Sequence, residues 1–194
     1  VLDCRVTNQM FRNPPPGDLS APDTFQHIRL ENPPTQNTAS TSCKHRDPVQ
    51  SLYIAQADIK NCFYQCGAHE ELYEYFAFDG VDSRFPIVLG VSSDYQGRPI
   101  MPGTIVYPVL LVLPMGWNWS MHIVQRIHED IIATCGFDRS KCVVANWPAP
   151  DVGSGNVAVP YCDNLTLVGT DSEKLNQDLT LLMSTFSSYG FYLL

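Results

Sequence analysis

The sequence predicts an α+β domain: a mixed, largely antiparallel sheet with helices on one face. Three observations carry this. Apolar positions Trp117, Met121, Val124, Ile127, Ile131 and Cys135 recur every three to four residues, which predicts an amphipathic helix over 117–135. Leu175, Leu179, Leu182, Met183 and Phe186 do the same and predict a second helix over 172–189. Between the helices, two short apolar runs at 157–161 and 165–169 flank Cys162-Asp163-Asn164, the pattern of a hairpin with an acid at its tip.

The other elements follow in chain order. Residues 13–50 are rich in Pro, Ser, Thr, Asn and Asp and read as irregular surface chain, with one short helix expected over 23–30, capped by Ser20 or Asp23. Residues 51–63 have the composition of a buried strand interrupted by Asp58 and Lys60. Acids open 68–76, where Leu72, Tyr75 and Phe76 fall at helical spacing, so a short helix is expected. A hairpin is expected around Tyr95-Gln96-Gly97, then an apolar strand over 105–113 that ends at Pro114-Met115-Gly116. Gly136 and Gly190 are placed to stop the two long helices, and a last strand begins at 191–194. No segment repeats.

The totals narrow the function classes. A chain of 194 residues with 44% hydrophobic content can bury the core of one domain or slightly more. Its longest apolar run, 105–113, is about half of the roughly 20 residues a membrane helix needs, so no span is expected. The chain begins at Val1 with no leader, which reads as a truncation with no targeting signal. Seven scattered cysteines, an odd number, predict reduced thiols in an intracellular protein, nuclear or cytoplasmic. The net charge of −8 weighs against nucleic-acid binding, because Lys and Arg supply most of the non-specific affinity for phosphate. Such a function therefore needs basic surfaces in flanking sequence, or acids that hold cations.

Two acids sit where burial makes a carboxylate expensive: Asp58 at the end of an apolar strand and Asp163 in an apolar hairpin. Either alone is read most simply as a turn former. Together, in the order strand, helix, hairpin, they suit nucleotidyl transfer, which uses two Mg²⁺ ions about 4 Å apart held by hard oxygen ligands. Cys43, His45, Cys62, Cys66 and His69 match no standard zinc spacing. His122 and His128, six residues apart on one helix, do not share a face and are read as packing or solvated groups. Gly153-Ser154-Gly155 lacks the Lys and the following helix of a phosphate loop.

Four segments in order resemble the reverse transcriptases of the retrotransposon and retroviral type. Val1-Leu2-Asp3-Cys4-Arg5-Val6-Thr7-Asn8 resembles their fingers strand, and Ala57-Asp58-Ile59-Lys60-Asn61-Cys62-Phe63-Tyr64 their first catalytic motif. Leu113-Pro114-Met115-Gly116-Trp117, with the helix through Gln125, resembles the second motif, and Tyr161-Cys162-Asp163-Asn164 the Tyr-x-Asp-Asp hairpin. The resemblance implies a right-hand polymerase palm formed by 50–66 and 117–194, with partial fingers from 1–49 and 67–116 and neither thumb nor RNase H present. It implies template-directed nucleotidyl transfer by one part of a longer retroelement-derived polyprotein. Primer–template and dNTP would be its substrates, and the parent chain's thumb, RNase H and integrase regions its partners.

Residue by residue, the resemblance makes Asp58 and Asp163 ligands of two Mg²⁺ ions, with Mn²⁺ as a substitute, and the Ile59 carbonyl a further oxygen ligand. Phe63 would sit under the sugar, Met115 and Gly116 would line the nucleotide pocket, and Arg5 would be a structural residue of the fingers. Asn164 stands at the catalytic position where the family has a second aspartate. An amide brings no negative charge, and its NH₂ end repels a cation. Two expectations therefore remain open, an active polymerase and an inactive, domesticated module that binds nucleic acid or protein.

Overall fold

A computed structural model describes residues 3–20, 22–26, 28, 30, 51–85, 88 and 90–194. The helices are α1 (Arg5–Met10), α2 (Pro22–Phe25), α3 (Cys62–Gln65), α4 (Asn118–Thr134) and α5 (Ser172–Ser188). The strands are β1 (Tyr53–Asp58), β2 (Val81–Asp82), β3 (Ile105–Val106), β4 (Val157–Tyr161) and β5 (Asn164–Gly169).

The main sheet has the order β1-β5-β4, with both pairings antiparallel. Cys142 adds a parallel bridge to Ala158, so the sheet is largely antiparallel and, at that edge, mixed. Alternation along the strands divides the sheet into two faces. Ala55 and Ala57 of β1, Leu165 and Leu167 of β5 and Ala158 of β4 point to one side. That side carries the main core, in which Val124, Ile131 and Ile132 of α4 meet Leu175, Leu182 and Phe186 of α5. Both long helices thus cover the same face, as the α+β reading expects.

The opposite face is covered only in part. Val157, Val159 and Val168 pack there with Val143 and Val152 from the loop before β4, making a second small core. Toward the hairpin tip the same face is left open, and Gln56, Asp58 and Tyr161 are exposed on it. A sheet sealed at one end and open at the other offers a platform at the open end.

The long helices begin and end close to the expected positions: α4 is flanked by Trp117 and Cys135, α5 by Asp171 and Tyr189. Asp171 caps α5 by accepting from the amides of Glu173 and Lys174. The expected hairpin at Tyr95-Gln96-Gly97 forms, with a Ser93–Pro99 bridge and Gly97 at φ 78°. Residues 191–194 run beside β1, where Asp58 and Leu194 exchange both backbone hydrogen bonds.

Several local expectations are corrected. Residues 5–10, inside the segment compared to a fingers strand, form the helix α1, because Asn8 bonds outward to the start of α4 and the backbone closes Asn8 N–H onto Cys4 O at 2.8 Å. The expected strand 105–113 pairs as a ladder only at Ile105–Val106. Beyond it, Val109 and Val112 make isolated bridges to Ala77 and Gly67, since Pro108 has no amide to continue a ladder. The helix at 68–76 is a 3-10 helix over Glu70–Phe76. Helix α2 ends at Phe25, short of the expected residue 30, and Ser20 donates its hydroxyl to the Val143 carbonyl. Cys43 and His45 lie outside the described residues.

Candidate active site

The site is built at the tip of the β4–β5 hairpin. Tyr161 and Asn164 are the last paired residues, so Cys162 and Asp163 form a two-residue turn. Cys162 has φ 49°, a left-handed conformation that is costly for a residue with a side chain and persists only where the surroundings enforce it.

Helix α4 enforces it. The buried Gln125 accepts the Cys162 N–H at 2.8 Å through Oε1 and donates through Nε2 to the Pro160 carbonyl at 3.1 Å and to Glu129 at 2.9 Å. One turn along, His128 Nδ1 lies 2.8 Å from the Cys162 carbonyl, a contact that requires the proton on Nδ1. Both backbone groups of the strained residue are therefore gripped by one helix face. Burial holds the His128 pKa down to about 4, against the opposing pull of the Cys162 carbonyl and the Asp163 charge. His128 is thus neutral near pH 7, as the Nδ1–H tautomer demands. The Cys162 thiol is pushed up to about 11 by burial and by the Asp163 charge, so it stays protonated.

The next residues bring the acids together. Asp58 is the register partner of Asn164, and the Ile59 amide donates to the Asp163 carbonyl at 2.7 Å. Asp58 is exposed on the open face, while Asp163 and Asn164 are half-buried beside it. Asn164 Nδ2 donates to Asp163 Oδ1 at 2.9 Å, and its Oδ1 accepts from Gln56 at 3.3 Å. The Asn164 amide, paired in register with Asp58, is thus tied to the Asp163 carboxylate. Among the described residues no group of three His, Cys, Asp or Glu side chains gathers at one point. The donors present still suit a hard divalent cation, with two carboxylates carrying the charge.

The other expected site residues lie on elements around this opening. Ile59 is buried and bridges Leu193. Phe63, half-buried on α3, packs against the main core. Met115 is exposed; Gly116 adopts φ 113° and accepts from Asn8 Nδ2 at 3.0 Å. Arg5 pairs with Asp3 at the surface at 2.6 Å. Of the aromatic residues, Trp117 is core, edge-on to Phe11 and Phe76, whereas Tyr161 and Tyr189 are exposed. Sequence reasoning missed the Gln125 and His128 grip. The only signal for it was two long polar side chains at buried helical positions.

Neighbouring carboxylates on an open sheet end, carried by a strand and a hairpin, are the equipment of nucleotidyl-transfer proteins as a class. The family model described as Reverse transcriptase (RNA-dependent DNA polymerase) matches residues 2–193, and the chain belongs to that family. No curated protein matches the chain. Among the described residues no helix is long and apolar enough to cross a membrane.

Proposed function

We propose that the chain is the palm (50–66 and 117–194) and part of the fingers (1–49 and 67–116) of a polymerase that performs template-directed nucleotidyl transfer. It would act within a longer retroelement-derived polyprotein. One observation supports the reading: Asp58 pairs in register with Asn164 and the Ile59 N–H donates to the Asp163 carbonyl at 2.7 Å, so the hairpin turn that carries Asp163 adjoins the end of β1 beside an open face.

Asp58, Asp163 and the Ile59 carbonyl are the groups that would hold divalent ions. When bound, such ions activate the primer hydroxyl and neutralise charge on the triphosphate. The chain's own residues do the positioning. Gln125 and His128 fix Cys162, and with it the direction of Asp163. Phe63 would press on the sugar from α3, with Met115 and Gly116 lining the nucleotide pocket. The reaction joins a primer 3′-hydroxyl to the α-phosphorus of a dNTP and releases pyrophosphate.

A second reading is favoured by a specific contact. The Asn164 amide occupies a lone pair of Asp163 that a cation would use, and the chain's net charge is −8, so a catalytically silent module with a binding role is the alternative. Primer extension by the intact protein in Mg²⁺ and Mn²⁺, beside Asp58→Ala and Asn164→Asp, separates the two. Loss of extension by at least about 100-fold in Asp58→Ala is expected, since a carboxylate that holds charge in the transition state is removed. Extension that survives this change refutes the metal assignment. Asn164→Asp is expected to tighten Mn²⁺ binding about tenfold, or ~1.4 kcal/mol, as measured by calorimetry. A silent wild type that recovers with Asn164→Asp is a decayed enzyme, and silence in both establishes the binding module.

A further inference from the structure

Beneath the candidate site lies a pair of thiols for which nucleotidyl transfer has no use. Cys62 opens the four-residue helix α3, and Cys66 follows its last residue with extended backbone, φ −97° and ψ 113°. Cys66 donates its Sγ–H to the Cys62 carbonyl at 3.5 Å, and residues four apart share one side of a helical turn. In an unbroken helix, residues four apart hold their Cβ bonds nearly parallel and resist a disulfide. Here the helix ends before Cys66, and that restraint is lifted.

The two cysteines are unequal. Both are buried by the surrounding chain, but Cys66 lines a groove of about 370 Å³ that opens between α4 and the C-terminal segment. Apolar side chains, among them Leu113, Ile127, Ile131 and Phe191, form most of its wall. The Cys66 pKa is lowered by its interaction with the neighbouring Cys62 thiol, against the opposing effect of burial. The pKa of Cys62 is raised, first by the same interaction and then by burial, so of the two thiols Cys66 is the one that both faces the groove and ionises more readily.

We propose that Cys66 and Cys62 form a two-cysteine redox site in which Cys66 is the attacking thiol and Cys62 the resolving one. The oxidant class is a small hydroperoxide that enters through the groove. The Cys66 thiolate attacks one peroxide oxygen and the O–O bond breaks. Hydroxide leaves and takes up a proton from solvent, so that Cys66 becomes a sulfenic acid and the peroxide is reduced. The Cys62 sulfur then attacks the Cys66 sulfur. An S–S bond forms, the S–O bond breaks, and water departs with the Cys62 proton. The pair is independent of the polymerase reading, because its detection requires no polymerisation.

Mapping by mass tests the pair. The intact protein is treated with hydrogen peroxide, its remaining thiols are blocked with N-ethylmaleimide, and it is digested with trypsin. Lys60 and Arg84 bound a peptide, residues 61–84, in which Cys62 and Cys66 are the only cysteines. The expected product is this peptide lighter by two hydrogens and free of maleimide, restored by dithiothreitol. In Cys62→Ser, dimedone should trap a sulfenic acid on Cys66, whereas Cys66→Ser should leave Cys62 unoxidised. Full maleimide uptake at both positions after peroxide overturns the proposal, as does dimedone on Cys62 or a cross-link from Cys62 to Cys162. The wild-type map decides the matter even where a serine variant folds poorly.

Discussion

The sheet with its two long helices and the segment 67–116 are held together by different means. In the first, Leu165, Leu167, Leu182, Phe186 and Ile132 are fully buried in one continuous core. In the second, ladder pairing stops after two residues in each strand, and the chain is tied by scattered backbone bonds such as Phe78 N–H to Pro108 O at 2.8 Å. Phe76 and Leu113 reach the main core, but many of its other apolar side chains stay outside: Met101 is 66% exposed and Tyr107 65%. Backbone bonds contribute little net free energy, whereas buried apolar area contributes most of it, so stability concentrates in the half that carries the acids.

The sharpest way to break this comparison is to truncate one side chain in each half. Phe186 is wholly buried, edge-on to His128 at 5.1 Å and to Phe191 at 6.0 Å. Phe186→Ala is expected to cost about 3–5 kcal/mol in urea unfolding, from lost transfer energy plus the cavity left behind. Tyr107→Ala should fall within about 0.5 kcal/mol of wild type. Equal costs at the two positions would mean that 67–116 has a core of its own.

A pH titration sharpens the comparison at the junction of α4 and the hairpin. Burial lowers the His128 pKa from 6.5 in the unfolded chain to about 4 in the fold. Between those values the unfolded state binds a proton that the native state refuses, so stability is complete above pH 6.5 and falls as the pH drops toward 4. The loss is bounded at about 3 kcal/mol. His128→Met should flatten this slope while other acid-sensitive groups continue to titrate. An unchanged slope would show that His128 is not the group refusing the proton.

The same contrast governs what was legible in the sequence. Helices α4 and α5 and the β4–β5 hairpin could be read because each buries a local, periodic face, and residues such as Val124 and Leu182 announce it within one or two turns. The neighbouring aspartates were legible only as a pattern of order, since nothing local links Asp58 to a residue more than a hundred positions away. The strand at 105–113 was overread: its composition is apolar, but Pro108 and the exposed Tyr107 leave it a ladder only at Ile105–Val106. The grip on Cys162 was invisible because Gln125 and His128 reach their partners across 37 and 34 residues. Helix α1 was missed for a like reason, as its anchor is tertiary.

That anchor supplies the smallest effect. Trp117, at the N-terminal boundary of α4, has no side-chain oxygen to cap the helix. Asn8 stands in from 110 residues away, its Oδ1 accepting the Asn118 amide at 3.0 Å while its Nδ2 donates to the Gly116 carbonyl at 3.0 Å. An N-terminal cap contributes about 1 kcal/mol whether its oxygen comes from the adjacent residue or from a distant one, because the orphan amide is the same. Asn8→Ala should therefore cost about 1 kcal/mol. Asn8→Asp should fall between the two, since a carboxylate keeps the acceptor and suits the positive end of the helix but loses the donor to Gly116. If Asn8→Ala leaves the urea midpoint unmoved, α1 only leans on α4 and does not cap it.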